Sequence, residues 1–585
     1  MLKDFLKKYG WMYIPGVFFL LLSSWLLMFP PRILGQIIDK LSLEPIDTPE
    51  IYRLLGIMVL VSVCVFITRY IWRYMINGNG RNLEAFARQR LFTHFQKMSV
   101  EFYTPRKTGD LIAYGINDIN AIRMMLGPAL SMIINGISLG FLAVYNMAGH
   151  INPRMTVFVL IPIVIVIICM VLMGRQVRIR FKRVQEMFAA ISDRVQENIS
   201  GLRVIKAYVQ EEAEVERFEQ LNKAFKDANL AMVRISASMT PAVDLLFGIS
   251  FTISLIYGSS LVRMGEISIG DFVAFFGYLA LIVTPVRMIA RIVNVYYRGS
   301  ASLRRYNAIL ETLPVVLDGP DDAPDNLEHA DVQINNLSFK YPGEDRYALN
   351  NISFHIKPGH SLGILGRTGS GKTTLVNLLV RLYNIEDNTV LIGGYDSNRL
   401  SLSRLRRQVG YVPQDNFLFS TSVEDNIRFF DDSFSHKEII EAARDAAVLD
   451  NIKEFPLGFE TQVGDRGMSL SGGQKQRICI ARALIKNPAL LILDDSLSAV
   501  DTQTENLIIE NIKKQTARGG SAIIIAHRIS ALSSCDEIIV MDDGEIIERG
   551  THNDLMSLES GFYATTAQDQ QHLSDSEVGE GGVNG

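Results

Sequence analysis

Cysteine is scarce in this sequence of 585 residues. Its four cysteines, Cys64, Cys169, Cys479 and Cys535, lack the spacing of a disulfide framework or a zinc site. Two fall in apolar segments and two in the more polar half, so they read as reduced packing residues. An excess of positive charge is also missing. With 58 Lys and Arg against 62 Asp and Glu, the net charge is -4, and without a basic stripe the chain is not read as a nucleic-acid binder. No internal repeat appears, and only one phosphate-loop pattern is present. No small-residue cleavage site follows the first apolar run, which ends in Met28-Phe29-Pro30-Pro31. The short basic stretch Met1–Tyr9 therefore reads as an interfacial helix leading into a retained span, not as a signal peptide.

What is present divides in two, because this length exceeds what one core supports. The first half carries about six apolar runs of membrane-spanning length. They lie near Trp11–Leu34, Ile51–Met75, Met124–Met147, Met155–Met173, Ala242–Val262 and Ile269–Val293. The runs are continuous rather than alternating, which favours helices over a barrel. Trp11, Trp25 and Trp72 read either as interfacial anchors or as protein-facing residues.

Connections between the runs are uneven. Leu41–Glu50, Ala148–Arg154 and Arg263–Ser268 are short and poor in basic residues, whereas Asn77–Arg123 and Gly174–Thr240 are long and rich in Lys and Arg. Basic connections stay in the cytoplasm, so both termini and the second half are expected there. The long connections keep a helical period, as in Leu83, Phe86, Ala87, Arg90 and Leu91, and so read as helices continuing past the bilayer. Tyr103–Leu111 and the stretch near Ala207–Glu212 are the expected turns of those extensions. Asp244, Arg287 and Arg291 are ionisable residues within or beside the last two spans, expected at span ends in contact with water. Val315–Asp331, rich in Pro and Asp, reads as a linker.

The second half holds the chemistry. Gly366-Arg367-Thr368-Gly369-Ser370-Gly371-Lys372-Thr373-Thr374 fits the phosphate-loop pattern, fed by the apolar run Ser361–Leu365 and followed by a helical continuation. Glycines let successive backbone N–H groups point at an anion, Lys372 adds a full charge, and the Thr373 hydroxyl suits magnesium. Leu490–Leu493 reads as a buried strand that ends in the carboxylates Asp494 and Asp495. An acid at that point holds magnesium, and a following carboxylate orients the attacking water. Leu470-Ser471-Gly472-Gly473-Gln474 opens a further helix and hence a second anion site. Gln414 and His527 follow apolar strands, and Asp543-Gly544 reads as a hairpin turn. The chain is thus expected to bind a nucleoside triphosphate.

Taken in this order, the motifs resemble those of ATP-binding-cassette exporters of the lipid-A exporter and multidrug type, and the resemblance spans nearly the whole chain. It implies an all-α six-helix transmembrane domain, with domain-swapped helices reaching into the cytoplasm, over residues 1–314. It further implies a linker over 315–331, an α/β P-loop nucleotide-binding domain over 332–566 and a disordered acidic tail over 567–585. By that resemblance Tyr341 stacks on adenine, Gly366–Thr374 is Walker A and Gln414 is the Q-loop glutamine, a magnesium ligand with Thr373 and Asp494. Leu470–Gln474 is the signature motif that meets the partner's ATP, Asp501 belongs to the D-loop and His527 is the switch histidine. Thr108–Leu111 and Gly201–Val209 resemble coupling segments, and Thr461–Gly467 the loop that meets them, with Asp465 where glutamate is usual.

One departure matters more than the matches. The catalytic base position holds Asp495 in place of glutamate, one methylene shorter. With a single phosphate loop and an intact signature, the sequence resembles one half of a heterodimeric bacterial multidrug exporter. The resemblance implies ATP and Mg2+ as cofactors and a second half-transporter bearing glutamate as partner. The implied cargo is an amphipathic compound or lipid, moved across the cytoplasmic membrane. A peptide or bacteriocin exporter is the alternative within the class, though no N-terminal peptidase domain precedes the spans. A nucleotide-gated channel or regulatory subunit is the alternative outside it.

Overall fold

The computed structural model describes residues 1–42, 46–320, 331–464, 467 and 470–580. It forms two compact units, residues 1–96 with 108–312, and residues 97–107 with 313–585. Among the described residues of the first unit, six helical stretches are long and apolar enough to cross a membrane. They are α1 (Leu2–Leu41), α2 (Thr48–Lys97), α3 (Thr108–Ile151), α4 (Pro153–Ser200), α5 (Glu211–Arg263) and α6 (Ile269–Glu311). Each contains one expected span. In hydrocarbon a backbone has to satisfy its own polar groups, and a continuous apolar run does so as a helix. Stretches α2 to α6 run 43 to 53 residues. That is about 65–80 Å at 1.5 Å per residue, against roughly 30 Å of hydrocarbon. The helices therefore continue well past a bilayer.

Met147, Met155, Val159, Phe275 and Leu279 are fully buried in the core of this unit. Where α1 meets α6 the backbones touch, since a Cβ on Gly35 would lie 2.5 Å from the Gly270 carbonyl oxygen. Asp39 fixes that contact by accepting from the Gly270 N–H and the Ser268 hydroxyl, both at 2.7 Å. Arg287 of α6 is paired with Asp244 of α5, while Arg291 is exposed. The expected turn near Ala207–Glu212 is present. A short helix, Leu202–Ala207, leads to Val209, whose φ of +52° turns the chain into α5.

In the second unit two sheets carry the fold. Strands β1 (Val332–Phe339), β2 (Leu349–Ile356), β4 (Val390–Ile392) and β5 (Tyr395–Asp396) form an antiparallel sheet in the order β2-β1-β4-β5. The larger sheet runs β10-β9-β3-β8-β7-β6, with β3 (Ser361–Gly366), β6 (Val409–Val412), β7 (Leu490–Asp494), β8 (Ser521–Ile525), β9 (Glu537–Asp542) and β10 (Glu545–Gly550). Its pairs are parallel except β9 with β10. Every residue of β3, β7 and β8 is buried, as strands covered on both faces require.

The linker gains detail, and the C-terminal stretch differs from its expectation. The linker beginning at Val315 is not free at its start, because Val316 is buried, Asn384 and Arg381 donate to the carbonyls of Val315 and Leu317, and Ser99 accepts from the Val315 and Val316 N–H groups. Its remainder, 321–330, lies outside the described residues, as does Asp465. The stretch from Ala567, expected as a disordered tail, continues a helix, Phe562–Glu580. A polar sequence without apolar period gave no sign of it. The helix is anchored by Tyr563, fully buried with its hydroxyl 2.8 Å from His552 Nδ1, and by Gln570.

Candidate nucleotide-binding site

Four parallel strands deliver their C-terminal ends to one edge of the larger sheet. Ile525 of β8 lies opposite Ile364 of β3 on one side and Asp494 of β7 on the other, and Leu493 of β7 lies opposite Val412 of β6. The residues just beyond those ends are the phosphate loop, His527, Asp495 and Gln414. An open parallel sheet binds its ligands at this edge. A cavity of about 400 Å³ sits here, and it brings together Tyr341, Thr368, Gly369, Gly371, Lys372, Thr373, Thr374, Gln414, Asp494, Asp495 and His527.

The loop's shape explains its glycines. Gly371 adopts φ +98°, and a Cβ there would lie 2.6 Å from the Ala348 carbonyl oxygen, so a side chain is excluded by conformation and by space. It leads directly into the helix Lys372–Leu379, whose first N–H groups face the cavity edge. Gly366, Arg367 and Ser370 support the loop from behind. Lys372 Nζ donates to the carbonyls of Gly366 and Arg367, at 2.7 and 2.8 Å, and approaches Ser370 Oγ at 3.5 Å. Burial pushes the Lys372 ammonium below its usual range, against the pull of Asp494 and Asp495.

Asp494 is 1% exposed. Burial pushes its carboxyl up, opposed by a hydrogen bond from Thr373 and by the charge of Lys372. Its Oδ2 is buried without a hydrogen-bond partner. A bare carboxylate oxygen in a cavity that Thr373 and Gln414 also line fits a hard cation such as Mg2+. No group of three or more His, Cys, Asp or Glu suited to a metal occurs among the described residues. Asp495 follows with φ +47°, its N–H donating to the Ile525 carbonyl at 3.0 Å and its carbonyl accepting from Ser498 Oγ at 3.1 Å. The left-handed conformation is one that Asp tolerates better than most residues.

Tyr341 meets Phe339 and Tyr383 edge-on, at ring separations of 5.2 and 5.3 Å, and its hydroxyl lies 2.9 Å from Thr374 Oγ1. The remaining motif residues are not at this cavity. Ser471 and Gln474 cap the helix Gly472–Leu484 reciprocally, while Leu470 is half-buried against the adjacent core and a Cβ on Gly473 would lie 2.8 Å from the Ala499 carbonyl oxygen. Asp501 caps the helix Thr502–Thr516 through the Thr504 N–H at 2.9 Å.

Sequence reasoning missed several neighbours. Tyr347, Arg346 and Asp543 line the cavity, and Arg346 pairs with Asp543. The signal for Asp543 is the pairing of Met541 with Gly366, which sets the hairpin turn beside the loop. Gln570 was also missed. Its amide donates to the His527 carbonyl at 2.7 Å and accepts from the Ile529 N–H at 2.9 Å.

Residues 13–286 match the family described as ABC transporter transmembrane region, and residues 349–498 that described as ABC transporter. The chain is 37% identical over 583 residues to the probable multidrug resistance ABC transporter ATP-binding/permease protein YheI of Bacillus subtilis, covering 98% of this chain and 99% of that protein. It is 32% identical to an ATP-dependent lipid A-core flippase of Syntrophus aciditrophicus, covering 87% and 84%. Its fold is similar to a solved bacterial Atm1-family ABC exporter with ATP bound, with TM-score 0.78, 24% identity, and coverage of 96% and 99%.

Proposed function

From the premise that this chain belongs to the ABC transporter family, as an exporter whose ATPase domain couples ATP hydrolysis to transport, we propose that it is one half of a heterodimeric multidrug or lipid exporter. It is a multi-pass membrane protein, and exporters of this family work as dimers. Both termini and the ATP-binding unit are assigned to the cytoplasm, on the basic character of the long connections.

In this reading Tyr341 stacks on the base, and the loop N–H groups with Lys372 take the phosphates. Thr373, Asp494 and Gln414 would hold Mg2+, which neutralises phosphate charge when bound. Asp495 and His527 orient the attacking water. The observation that carries the proposal is Asp495 at the base position. Its backbone is tied to Ile525 and Ser498, so the shorter side chain has little freedom to advance. A misplacement of about 1 Å costs roughly a hundredfold in rate. This chain's own site therefore binds ATP and hydrolyses it slowly, and its Leu470–Gln474 motif completes the faster site of a partner bearing glutamate.

The test is the ATPase turnover of the chain purified alone and with its partner half. We expect the lone chain to be slow, the pair to be fast, and Asp495→Glu to accelerate the slow site. A lone chain with full turnover, indifferent to Asp495→Glu, would overturn the reading.

A further inference from the structure

Charge inside the apolar helices is handled in two ways. Arg287 of α6 has Asp244 of α5 as its counter-ion. Arg69 and Arg73 of α2 have none, and neither enters an ion pair among the described residues. They sit one helical turn apart, so both guanidinium groups fall on one face, where like charges repel. Both line an open cavity of about 520 Å³ between residues of α1, α2, α3 and α6, and no Asp or Glu lines it. The Arg73 guanidinium stands 5.6 Å from the ring centre of Trp72, which also lines the cavity, and Asn77 Oδ1 is buried there without a hydrogen-bond partner.

Arg69 and Arg73 are both exposed and lie within the expected span Ile51–Met75, where an ionisable residue without a counter-ion is a candidate for function. Guanidinium groups bind carboxylate, sulfonate and phosphate through charge-assisted hydrogen bonds. The buried Asn77 oxygen is an unused acceptor, suited to a hydroxyl or amide N–H near that anion. A second cavity of about 420 Å³ adjoins the first, sharing Met132, Gly136 and Pro285, and its other walls are aliphatic side chains such as Ile163, Ile167 and Ile289. The paired cavities present a cationic head site and an apolar body site.

We propose that Arg69 and Arg73 form the head site of the cargo pocket, and that this transporter selects anionic amphiphiles bearing a carboxylate, sulfonate or phosphate beside a hydrogen-bond donor. The proposal deepens the exporter reading and rests on it.

The test uses the full-length chain with its partner half, in nanodiscs of phosphatidylcholine, without ATP. Three fluorescent probes share one apolar body: dansylglycine (anionic), its methyl ester (neutral) and dansylcadaverine (cationic). Dansylglycine is expected to bind at least about tenfold tighter than the other two, the scale of one charge-assisted contact. Arg69→Gln with Arg73→Gln removes the preference, and Arg69→Lys with Arg73→Lys keeps it. Arg69→Glu with Arg73→Glu turns the preference toward dansylcadaverine. Equal binding of the three probes by the unmodified protein, or a preference that survives the double Gln change, overturns the proposal. If the double Gln protein does not assemble, the probe series and the Lys pair still decide. Replacing a third of the lipid by phosphatidylglycerol separates the sources. Competition assigns the site to a lipid phosphate, and undiminished dansylglycine binding assigns it to a soluble amphiphile. ATP-driven uptake into inverted vesicles keeps the two readings apart. Dansylglycine binding without accumulation supports the head site and sinks the exporter reading, whereas accumulation of dansylcadaverine without dansylglycine binding does the reverse.

Discussion

Gln570 holds the backbone immediately after His527. Its amide donates to the His527 carbonyl at 2.7 Å and accepts from the Ile529 N–H at 2.9 Å. One side chain thereby fixes the two peptide groups that follow His527, itself a cavity-lining residue, from a helix placed beyond the last strand. The aromatic start of that helix also touches the loop, since the Arg367 guanidinium lies 5.4 Å from the Phe562 ring centre.

Gln570→Ala should lower ATPase kcat about fivefold, as expected for one net hydrogen bond of about 1 kcal/mol expressed at His527. KM for ATP should change little, because Gln570 does not line the nucleotide cavity. Gln570→Glu keeps the acceptor for Ile529 and loses the donor to His527, so its kcat should fall between. Steady-state kinetics of the assembled transporter checks both, and a rise in KM with kcat unchanged would refute the positioning role.

Asp495 offers a separation of stability from chemistry. Asn suits φ +47° as well as Asp does, so Asp495→Asn should leave thermal stability unchanged while abolishing the slow turnover of this site. Asp495→Glu should raise that turnover by up to about a hundredfold. It should also cost about 1 kcal/mol, because glutamate is a poorer occupant of the left-handed region. Denaturant unfolding beside single-turnover hydrolysis distinguishes the two effects.

The pH dependence at Asp494 has a definite sign. Burial raises its carboxyl above the ordinary value, so the folded state holds that proton more tightly than the unfolded chain does. Its favourable contribution is complete below the ordinary carboxylate pKa and is lost as pH rises through the raised one. At neutral pH the ionised group destabilises the protein before nucleotide binds. Asp494→Asn should therefore raise Tm without nucleotide, by about 2–4 °C for each kcal/mol recovered. It should also abolish the further rise produced by Mg-ATP. An unchanged or lower Tm in the first measurement would contradict the assignment.

The Asp244–Arg287 pair predicts non-additivity. Both side chains are half-exposed, so Asp244→Asn, which leaves Arg287 without its counter-ion, should cost about 1 kcal/mol or less. Adding Arg287→Gln should recover most of it. A thermal-stability cycle over the two single changes and the double measures the coupling, and additive single effects would show that the pair contributes nothing.

Much of this protein was legible from local chemistry. Six apolar runs had to be helices because lipid offers the backbone no partner. Gly366–Thr374 announced an anion site because glycine conformations and a helix start are encoded by adjacent residues. Other features were decided only in three dimensions. Strand order put Gln414, Asp494 and His527 beside a loop that ends 40, 120 and 153 residues before them, and sequence spacing carries no sheet register. Val315–Leu317, read as linker, docks because Arg381 and Asn384 reach its carbonyls. The polar stretch after Ala567 became helical because Tyr563 and Gln570 found partners in the core and at His527. Arg69 and Arg73 were passed over because the absence of a carboxylate is a property of the space around them, and only the packed helices define that space.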